Sequence, residues 1–427
     1  MMENYMNMKD SRIEWLKEIP KEWDIKVLFQ LVEQVKNKNK DLEEKNLLSL
    51  SYGKIKRKDI HNVEGLLPES FDGYNIIEEN DIVLRLTDLQ NDHTSLRVGQ
   101  AKEKGIITSA YVTIRPSSLV DSRYLYYVLH AYDLIKGFYG MGSGVRQGLN
   151  YEEVKMLKVP FPNKETQKGI VSFLDDICNQ IDEMIEDAKK SIEDYKKWRT
   201  SAIYEAVTGG LNPNANFKQC TIDGIQTIPE NWGTGSIKSV ATYNDEVLLE
   251  STNPEYEFDY IDISSVKYGE GVTNLQHMNF KEAPSRARRL LKKDDVIIST
   301  VRTYLKAVAM IGNFETQQVA STGFAVLRAK NINPKYLYYA VLSDRFISTV
   351  EANSTGMSYP AINSSKLVSF KIPIPPEEEQ VEISNYLDII CDHISNLIKE
   401  KNSLIFDLEL YKRSLIYETV TGKRKVV

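Results

Sequence analysis

The sequence has few of the residues that mark secreted, membrane-spanning or metal-binding proteins. Its 427 residues include only three cysteines, Cys178, Cys220 and Cys391, and no two of them form a CxxC pair. This spacing excludes a disulfide scaffold and a cysteine zinc site. The five histidines show no HxxxH or HExxH spacing. No apolar run reaches the roughly 18 residues of a membrane helix, and the N-terminus lacks the apolar core of a signal peptide. We therefore expect a reduced, cytoplasmic protein without a metal or a membrane segment.

Motifs of catalysis are missing as well. The sequence contains no GxxxxGK[ST], no GxGxxG after a strand and no GxSxG, so nucleotide hydrolysis, dinucleotide binding and serine hydrolysis lack support. Asn253-Pro-Glu-Tyr256 departs from the Asn-Pro-Pro-Tyr motif of adenine methyltransferases at its third position and has no counterpart elsewhere in the chain. We therefore predict that the chain binds rather than catalyses, and that it holds no cofactor of its own.

Apolar material, in contrast, is ample. Hydrophobic residues make up 42% and charged residues 27% of the sequence, with a formal net charge of -6. This composition is typical of a globular chain, and the length suits two or three domains. The acidic excess lies almost entirely in residues 163–210 and 376–427. The rest of the chain is close to neutral and can still carry basic faces.

The chain repeats one plan twice. Five motifs recur in the same order at a period of roughly 210 residues, too long for a solenoid. They are Ile19-Pro-Lys-Glu-Trp23 and Ile228-Pro-Glu-Asn-Trp232, Arg123-Tyr-Leu-Tyr-Tyr127 and Lys335-Tyr-Leu-Tyr-Tyr339, Val159-Pro-Phe-Pro162 and Ile372-Pro-Ile-Pro375, Gln167 and Gln380, and Ile203-Tyr-Glu-Ala-Val-Thr-Gly209 and Ile416-Tyr-Glu-Thr-Val-Thr-Gly422. We interpret the chain as a pseudo-dimer whose ligand is two-fold-like or has two parts. The motifs place long blocks at 1–162 and 211–375 and short blocks at 163–210 and 376–427.

Both short blocks have the apolar 4-3-4-3 spacing of a supercoiled helix. No proline or glycine lies between Ile170 and Thr208 or between Pro376 and Thr421, and each helix is preceded by proline and followed by glycine. At 1.5 Å per residue, each helix would be roughly 60 Å long. The registers match, which predicts that the two helices pack as a coiled coil. Its seam would consist of Ile170, Leu174, Ile177, Ile181 and Met184 in the first helix and Ile383, Leu387, Ile390, Ile394 and Leu397 in the second.

Each helix also has a second apolar stripe outside this seam. A two-helix rod does not need such a stripe unless something else covers it. We therefore predict that partner subunits dock on Phe173, Ile185, Ile192, Ile398, Ile405 and Phe406. Ordinary core packing is the alternative.

The long blocks have the pattern of mixed α/β domains. Strand-like runs lie at 46–51, 81–85 and 105–114 in the first block, and at 256–263, 295–300, 307–311 and 323–327 in the second. A helical stretch follows in each block, at 122–132 and 334–350. The two blocks agree near their ends and differ in the middle, which suggests one geometry with two different sets of contacts.

Basic residues cluster in both long blocks. Residues 281–306 contain many more lysines and arginines than acids, and the first block contains the run Gly53-Lys-Ile-Lys-Arg-Lys58. Loops at 142–150 and 354–363 are rich in glycine and hydroxyl residues, which suit a close approach to phosphate. Arginine, lysine and hydroxyl side chains also contact bases. Solvated surface and ordinary turns are the alternatives.

Taken together, these residues resemble the specificity subunit of type I restriction–modification systems. The resemblance rests on the paired Ile-Pro-x-x-Trp openings, the paired proline motifs with Gln167 and Gln380, and the long helix after each, and it covers nearly the whole chain. Residues from Met8 onward resemble the usual start of the family, so residues 1–7 would be an extension or a misassigned start.

The resemblance implies a fold and a set of partners. Two globular α/β target recognition domains would each be followed by a long helix, and the helices would pack as an antiparallel coiled coil with pseudo-two-fold symmetry. Each domain would bind one half of a split, asymmetric site on double-stranded DNA. Two modification subunits, carrying S-adenosylmethionine and methylating adenine N6, would dock on the helices. Two restriction subunits would add ATP- and Mg-dependent cleavage.

In this family, loops of the recognition domains face the DNA, which gives a set of expected DNA-binding residues. They are Lys54, Lys56, Arg57, Lys58, Arg85, Thr87, Arg97, Ser109, Arg146 and Gln147 in the first domain, and Arg286, Arg288, Arg289, Thr300, Arg302, Lys306, Thr322 and Ser358 in the second. The competing hypothesis is a two-headed protein-binding adaptor on a coiled-coil rod, which explains the repeat but not the basic loops.

Overall fold

The computed structural model describes residue 5 and residues 7–59, 71–141 and 148–426. Arg146 and Gln147 lie outside these residues. The chain divides into two compact units, one made of Met1–Asp187 with Ser403–Val427 and the other of Ala188–Asn402. Each unit therefore combines one α/β domain with part of both long helices.

The first unit is built around an antiparallel sheet with strand order β4-β11-β8-β9, next to short two-stranded pairs β1-β2, β3-β12, β5-β6 and β7-β10. Its strands are β1 Met8–Asp10, β2 Glu18–Pro20, β3 Asp24–Val27, β4 Val32–Gln34, β5 Leu48–Ser51, β6 Lys54–Arg57, β7 Asn75–Ile77, β8 Ile82–Leu84, β9 Val98–Gln100, β10 Gly105–Ile107, β11 Val112–Pro116 and β12 Lys158–Phe161. Its helices are α1 Ser122–Leu134, α2 Tyr151–Val154 and the first half of α3 Lys164–Gly209. Helix α1 packs on the sheet and closes the main core.

The second unit repeats this plan and adds a second four-stranded sheet. The sheets have strand orders β16-β25-β22-β23 and β20-β17-β24-β21, and the pairing of β17 with β24 is parallel. The strands are β13 Phe217–Gln219, β14 Thr227–Pro229, β15 Gly233–Ser236, β16 Ala241–Tyr243, β17 Glu257–Ile261, β18 Val266–Lys267, β19 Gly271–Val272, β20 Gln276–Asn279, β21 Ala287–Leu290, β22 Val296–Ser299, β23 Val308–Met310, β24 Gln318–Ser321, β25 Phe324–Ala329 and β26 Lys371–Ile374. The helices are α4 Ile237–Val240, α5 Pro334–Leu342, α6 Asp344–Ala352, α7 Ser364–Leu367 and the first half of α8 Glu377–Val420.

Two of the expected elements are divided in the structure. The run at 105–114 forms β10 and β11, because a turn with a hydrogen bond of 3.2 Å from Tyr111 N to Thr108 O separates them. The helical stretch at 334–350 is interrupted at Ser343. Its hydroxyl donates to the Ala340 carbonyl at 2.7 Å and caps the next helix by accepting from Phe346 N at 3.4 Å.

The repeated motifs form the junction between each α/β domain and a long helix. In the first unit, the opening strand β3 pairs with β12, which carries the proline motif. The buried Tyr124 hydroxyl donates to the Pro160 carbonyl at 3.1 Å. Gln167 donates to the Pro162 carbonyl at 2.8 Å and accepts from Asp121 N at 2.8 Å. The second unit has the same set of contacts, formed by β15 with β26, Tyr336 with Pro373, and Gln380 with Pro375 and Asn333.

The long helices run antiparallel in each unit. In the first unit, Leu174 and Ile181 from the start of α3 share one core with Leu415 and Val420 from the end of α8. In the second unit the order is reversed, and the end of α3 packs with the start of α8 around Ile203, Val207, Ile383 and Leu387. This arrangement agrees with the expected fold class: two α/β domains with long antiparallel helices.

The buried face of α3 differs from the predicted heptad seam. Ile185 and Ile192, expected to dock a partner, are each only 8% exposed, whereas Met184, expected in the seam, is 49% exposed. The prediction that Ile185 and Ile192 dock a partner is wrong, and so is the prediction that Met184 lies in the seam. Between residues 170 and 192, the buried positions are Ile170, Leu174, Cys178, Ile181, Ile185, Ala188 and Ile192. Their mean spacing of about 3.7 residues is closer to a straight helix than to a heptad, so the buried face turns away from Met184 along the helix.

On α8 the predicted seam residues Ile383, Leu387 and Ile394 are buried, and Ile390 and Leu397 are half-buried. The expected docking residues are divided. Phe173, Ile405 and the seam residue Ile177 pack at the edge of the first core, Ile398 is half-buried, and Phe406 remains 60% exposed. Within the described part of the chain, no helix has both the length and the apolar composition that crossing a membrane requires.

Candidate nucleic-acid interface

Three loops of the second unit meet at one end of the β16-β25-β22-β23 sheet. They are the turn after β22, residues 300–307; the turn between β24 and β25, residues 322–323; and the loop at 353–363. We call these loops, together with Arg286, the recognition cluster. Strand β22 is wholly buried, so its end fixes where the first loop begins.

Hydrogen bonds tie these loops to one another. The Thr300 hydroxyl donates to the Gly323 carbonyl at 2.9 Å, and Thr300 O accepts from Ile362 N at 2.8 Å. Thr303 donates to the Ser354 hydroxyl at 2.9 Å. Thr322 N donates to the Arg286 carbonyl at 2.8 Å, which adds β21 to the group. Segments distant in sequence are therefore fixed as a single surface.

Arg302 is an exposed cation of the loop after β22. Its backbone is in the left-handed region, with φ 51° and ψ 49°, which turns the exposed side chain away from the strand direction. The guanidinium carbon lies 5.0 Å from the centre of the Tyr359 ring. Thr322, Ser358 and Arg286 of the recognition cluster are also exposed. A planar cation, an aromatic face and hydroxyl groups are the side chains that contact base edges and phosphates.

Ion pairing separates the expected cations into two groups. Lys306 lies 3.5 Å from Asp344, so its charge is already balanced within the chain. Arg286, Arg288, Arg289 and Arg302 have no carboxylate within 4.0 Å among the residues that the structure describes. Arg288 lies over the ring of Phe280 at 4.9 Å. The uncompensated charge of this region is therefore arginine.

Of these four arginines, Arg289 has the surroundings that least favour its positive charge. Partial burial lowers the pKa of its guanidinium, and its Nε is buried without a hydrogen-bond partner in the described structure. A cation that has lost water without gaining a counter-ion would be stabilised by an incoming anion. A phosphate of the DNA backbone would supply one.

The Thr300 side chain does not reach a ligand. It is only 5% exposed, and its hydroxyl already donates to the Gly323 carbonyl. The prediction that it binds DNA is wrong because the residue lies at the buried end of β22, where its hydroxyl closes the turn.

The corresponding loop of the first unit, residues 85–97, is held from within by Arg97. This side chain is 0% exposed. It donates to the carbonyls of Thr87, Asp88 and Asp92 and to the Tyr139 hydroxyl, at 2.8 Å for Thr87 and 3.2 Å for Tyr139. Because its side chain is buried, the prediction that Arg97 contacts DNA is wrong. Arg97 instead holds the conformation of the loop at 85–97.

Other expected residues of this loop remain accessible. Arg85 and Thr87 are half-buried, and the Arg85 guanidinium lies 3.9 Å from Asp92. Ser109 is exposed in the turn between β10 and β11. Leu149 N donates to Leu86 O at 2.8 Å, as Ile362 N does to Thr300 O in the second unit. The two loops therefore begin with the same backbone hydrogen bond.

The basic hairpin β5-β6 lies beside the same loop. Gly53 has φ 74°, and a Cβ there would lie 3.0 Å from the Cβ of Leu96, so the turn approaches the loop closely. Lys54, Lys56 and Lys58 are exposed, whereas Arg57 donates from Nε to Glu103 at 2.7 Å. The three lysines extend the basic surface of the first unit.

Three exposed residues of the second unit were not predicted. Tyr304, Met357 and Tyr359 stand out on the recognition cluster, with Met357 fully exposed. The glycine- and hydroxyl-rich loop at 354–363 had indicated the segment but not its apolar side chains. Among the described residues, no group of three or more His, Cys, Asp or Glu is placed to hold a metal ion.

Comparison with known proteins identifies the class of protein that this repeated fold defines. A family model described as the type I restriction modification DNA specificity domain matches the chain twice, over residues 20–194 and 229–405. The chain belongs to this family.

Individual relatives are distant but cover most of the chain. It is 25% identical over 362 residues to the type I restriction enzyme MjaVIII specificity subunit of Methanocaldococcus jannaschii, covering 82% of this chain and 80% of the relative. It is 24% identical over 315 residues to the EcoR124I/EcoR124II specificity subunit of Escherichia coli, covering 69% of each.

Solved structures share the fold. A chain from the structural work on complex assembly and conformational transition of the type I R-M system superposes with a TM-score of 0.68 at 16% identity, covering 94% of this chain and 98% of that one. The HsdS subunit from Thermoanaerobacter tengcongensis gives 0.50 at 16% identity, covering 95% and 98%.

Proposed function

We propose that this chain is the DNA sequence-recognition subunit of a type I restriction–modification enzyme. The observation that carries the proposal is the recognition cluster, where hydroxyls, an aromatic face and arginines that have no carboxylate partner among the described residues converge on one surface. Family membership supports the same function. The chain itself binds and does not catalyse.

Each α/β domain would bind one half of a two-part target. Arg302 of the second unit and Asp88 of the first lie two residues after the matching carbonyls, those of Thr300 and Leu86, and both have a positive φ, 51° and 56°. The backbone arrangement at this position is the same in both units, but the side chain is a cation in the second unit and an anion in the first. Unlike side chains on a common frame favour an asymmetric target.

The long helices would set the spacing between the half-sites and dock the partners. The partners would be two modification subunits, which methylate adenine N6 with S-adenosylmethionine, and two restriction subunits, which use ATP and Mg. The residue of the expected docking set that remains mostly exposed is Phe406, so the docking surface would lie on α8 more than on α3.

A methylation map of the host genome by single-molecule sequencing tests the proposal. Deleting the gene should abolish methylation of one gapped, asymmetric N6-methyladenine motif, and restoring the gene should recover it. An unchanged map in a host that expresses the modification subunit would contradict the proposal.

Salt titration of DNA binding gives a second test, with the chain in complex with its modification subunits. Phosphate contacts release counter-ions, so affinity should fall steeply as salt rises. A protein-binding adaptor would show no salt-dependent DNA binding beyond that of the modification subunits alone.

A further inference from the structure

A cavity of about 880 Å³ lies in the second unit, and its lining residues are different from those of the recognition cluster. Its walls come from the β18-β19 hairpin and the segment that follows it, from the end of β23, and from α3, α5 and α8. This volume is in the range of cavities that hold small molecules. Arg199 of α3 faces it and is only 6% exposed.

Arg199 has a counterpart in the first unit that is fully paired. Four residues before the repeated Ile-Tyr-Glu motif, the first copy of the motif has Arg199 and the second has Lys412. Lys412 Nζ lies 2.7 Å from Asp182 Oδ1. The residue that matches Asp182 is Ser395, as far after Gln380 as Asp182 is after Gln167. At the position of that carboxylate, the second unit therefore has a hydroxyl, which lines the cavity together with Arg199 and donates to the Cys391 carbonyl at 2.7 Å.

Nothing else in the described structure replaces that carboxylate. The Arg199 Nη1 donates to the Gly269 carbonyl at 3.0 Å, and no acid lies within 4.0 Å of the guanidinium among the described residues. Gly269 has φ 70°, and a Cβ there would lie 2.5 Å from the Arg199 Cζ. The hairpin is therefore shaped to lie directly against the guanidinium without neutralising it.

The lining also indicates the rest of the ligand. Met310, Ile311 and Leu342 offer apolar contact beside Asn274 and Gln318. Glu270 and Asp392 line the same cavity and are exposed, so they disfavour a ligand with several negative charges. A single carboxylate carries one negative charge and can accept two parallel hydrogen bonds from a guanidinium.

We propose that this cavity binds a small organic carboxylate, whose anionic group pairs with Arg199 and whose body lies against Met310, Ile311 and Leu342. The site is separate from the residues proposed to bind DNA, and its test does not depend on DNA binding.

Thermal unfolding of the full-length chain at constant ionic strength tests this site, with sodium acetate and sodium benzoate as probes. Benzoate should raise the Tm by about 2–4 °C at saturation, and acetate by less because it lacks a body to fill the cavity. Arg199→Gln should weaken the apparent affinity for benzoate by about tenfold or more.

Ser395→Asp keeps Arg199 and introduces the carboxylate of the first unit. It should raise the Tm without any ligand and abolish the response to benzoate, because the cation is then occupied. Ser403→Asp adds the same charge to an exposed position of α8 and should leave the response to benzoate unchanged. Equal Tm shifts in the wild type, Arg199→Gln and Ser395→Asp would indicate adventitious anion binding and overturn the proposal, as would no shift in the wild type.

Discussion

Arg302 stacks on Tyr359, with 5.0 Å between the guanidinium carbon and the ring centre, although the two residues belong to different loops. Because the side chain is held before any ligand arrives, less conformational entropy is lost when it forms hydrogen bonds. The contact therefore holds in place, at the end of the buried sheet, a side chain that we propose to bind DNA.

Replacing Arg302 by alanine should weaken binding to the DNA target by about 1–3 kcal/mol if the side chain contacts a guanine, and should relax specificity at one base pair. Binding curves on a set of single-base target variants measure both effects. Lys281→Ala is the matched control, because Lys281 is exposed and already paired with Glu255 at 2.8 Å. A uniform loss on all variants would assign Arg302 to a phosphate, and no loss on any variant would remove it from the site.

Arg97→Met should destabilise the first unit rather than change base preference. It removes a buried guanidinium that satisfies several loop carbonyls, at a cost of about 2–4 kcal/mol. Urea unfolding gives the stability, and the same single-base binding set gives the preference. Arg85→Met, at a half-buried position of the same loop, should cost less than about 1 kcal/mol. A changed base preference in Arg97→Met at full stability would contradict the structural role.

Gln380→Ala should destabilise the junction between the second domain and α8 by about 1–3 kcal/mol, because it leaves the Pro375 carbonyl and Asn333 N without their partner. Gln167→Ala should behave in the same way in the first unit, where its contacts match. Gln180→Ala is the control, since Gln180 is exposed on α3 and donates to the Asp176 carboxylate at 2.9 Å. Equal losses from Gln180→Ala and the junction variants in urea unfolding would refute the repeated junction.

The repeat made much of the fold predictable. Motifs such as the glutamine after each proline motif recur because they form the same contacts in both units, so their pairing in sequence indicated two copies of one domain and two long helices. Strand positions followed from runs of buried β-branched residues, as in β22.

The roles of individual side chains were less predictable. Arg97 and Arg302 are the same residue type in corresponding loops of the two units, yet one is buried beside Tyr139 and the other is exposed on Tyr359. That difference depends on contacts between residues far apart in sequence, which local patterns do not contain. The predicted seam of α3 was wrong for a related reason. Periods of 3.5 and 3.6 residues diverge slowly along a helix, so a short apolar pattern does not show whether Met184 or Ile185 is buried.

A buried histidine should make the stability of the first unit depend on pH. Burial, together with the nearby cations Lys412 and Arg123, lowers the pKa of His130 from 6.5 to about 4. Its Nδ1 has no hydrogen-bond partner within the described residues, and its ring stacks on Tyr126 at 5.5 Å. Since the folded state takes up fewer protons than the unfolded state, stability should be complete above pH 6.5 and decline as the pH falls toward 4.

The second unit supplies the variant for this test, because Leu342 stands where the first unit has His130. At pH 5, His130→Leu should recover about 2 kcal/mol relative to the wild type, compared with the difference at pH 8. Asp133, whose pKa burial raises to about 6, has the opposite pH dependence and is present in both proteins, so the comparison isolates the histidine. Urea unfolding of both proteins between pH 4.5 and 8 measures the difference. Parallel stability curves would show that His130 gains its proton equally easily in the folded and unfolded chain.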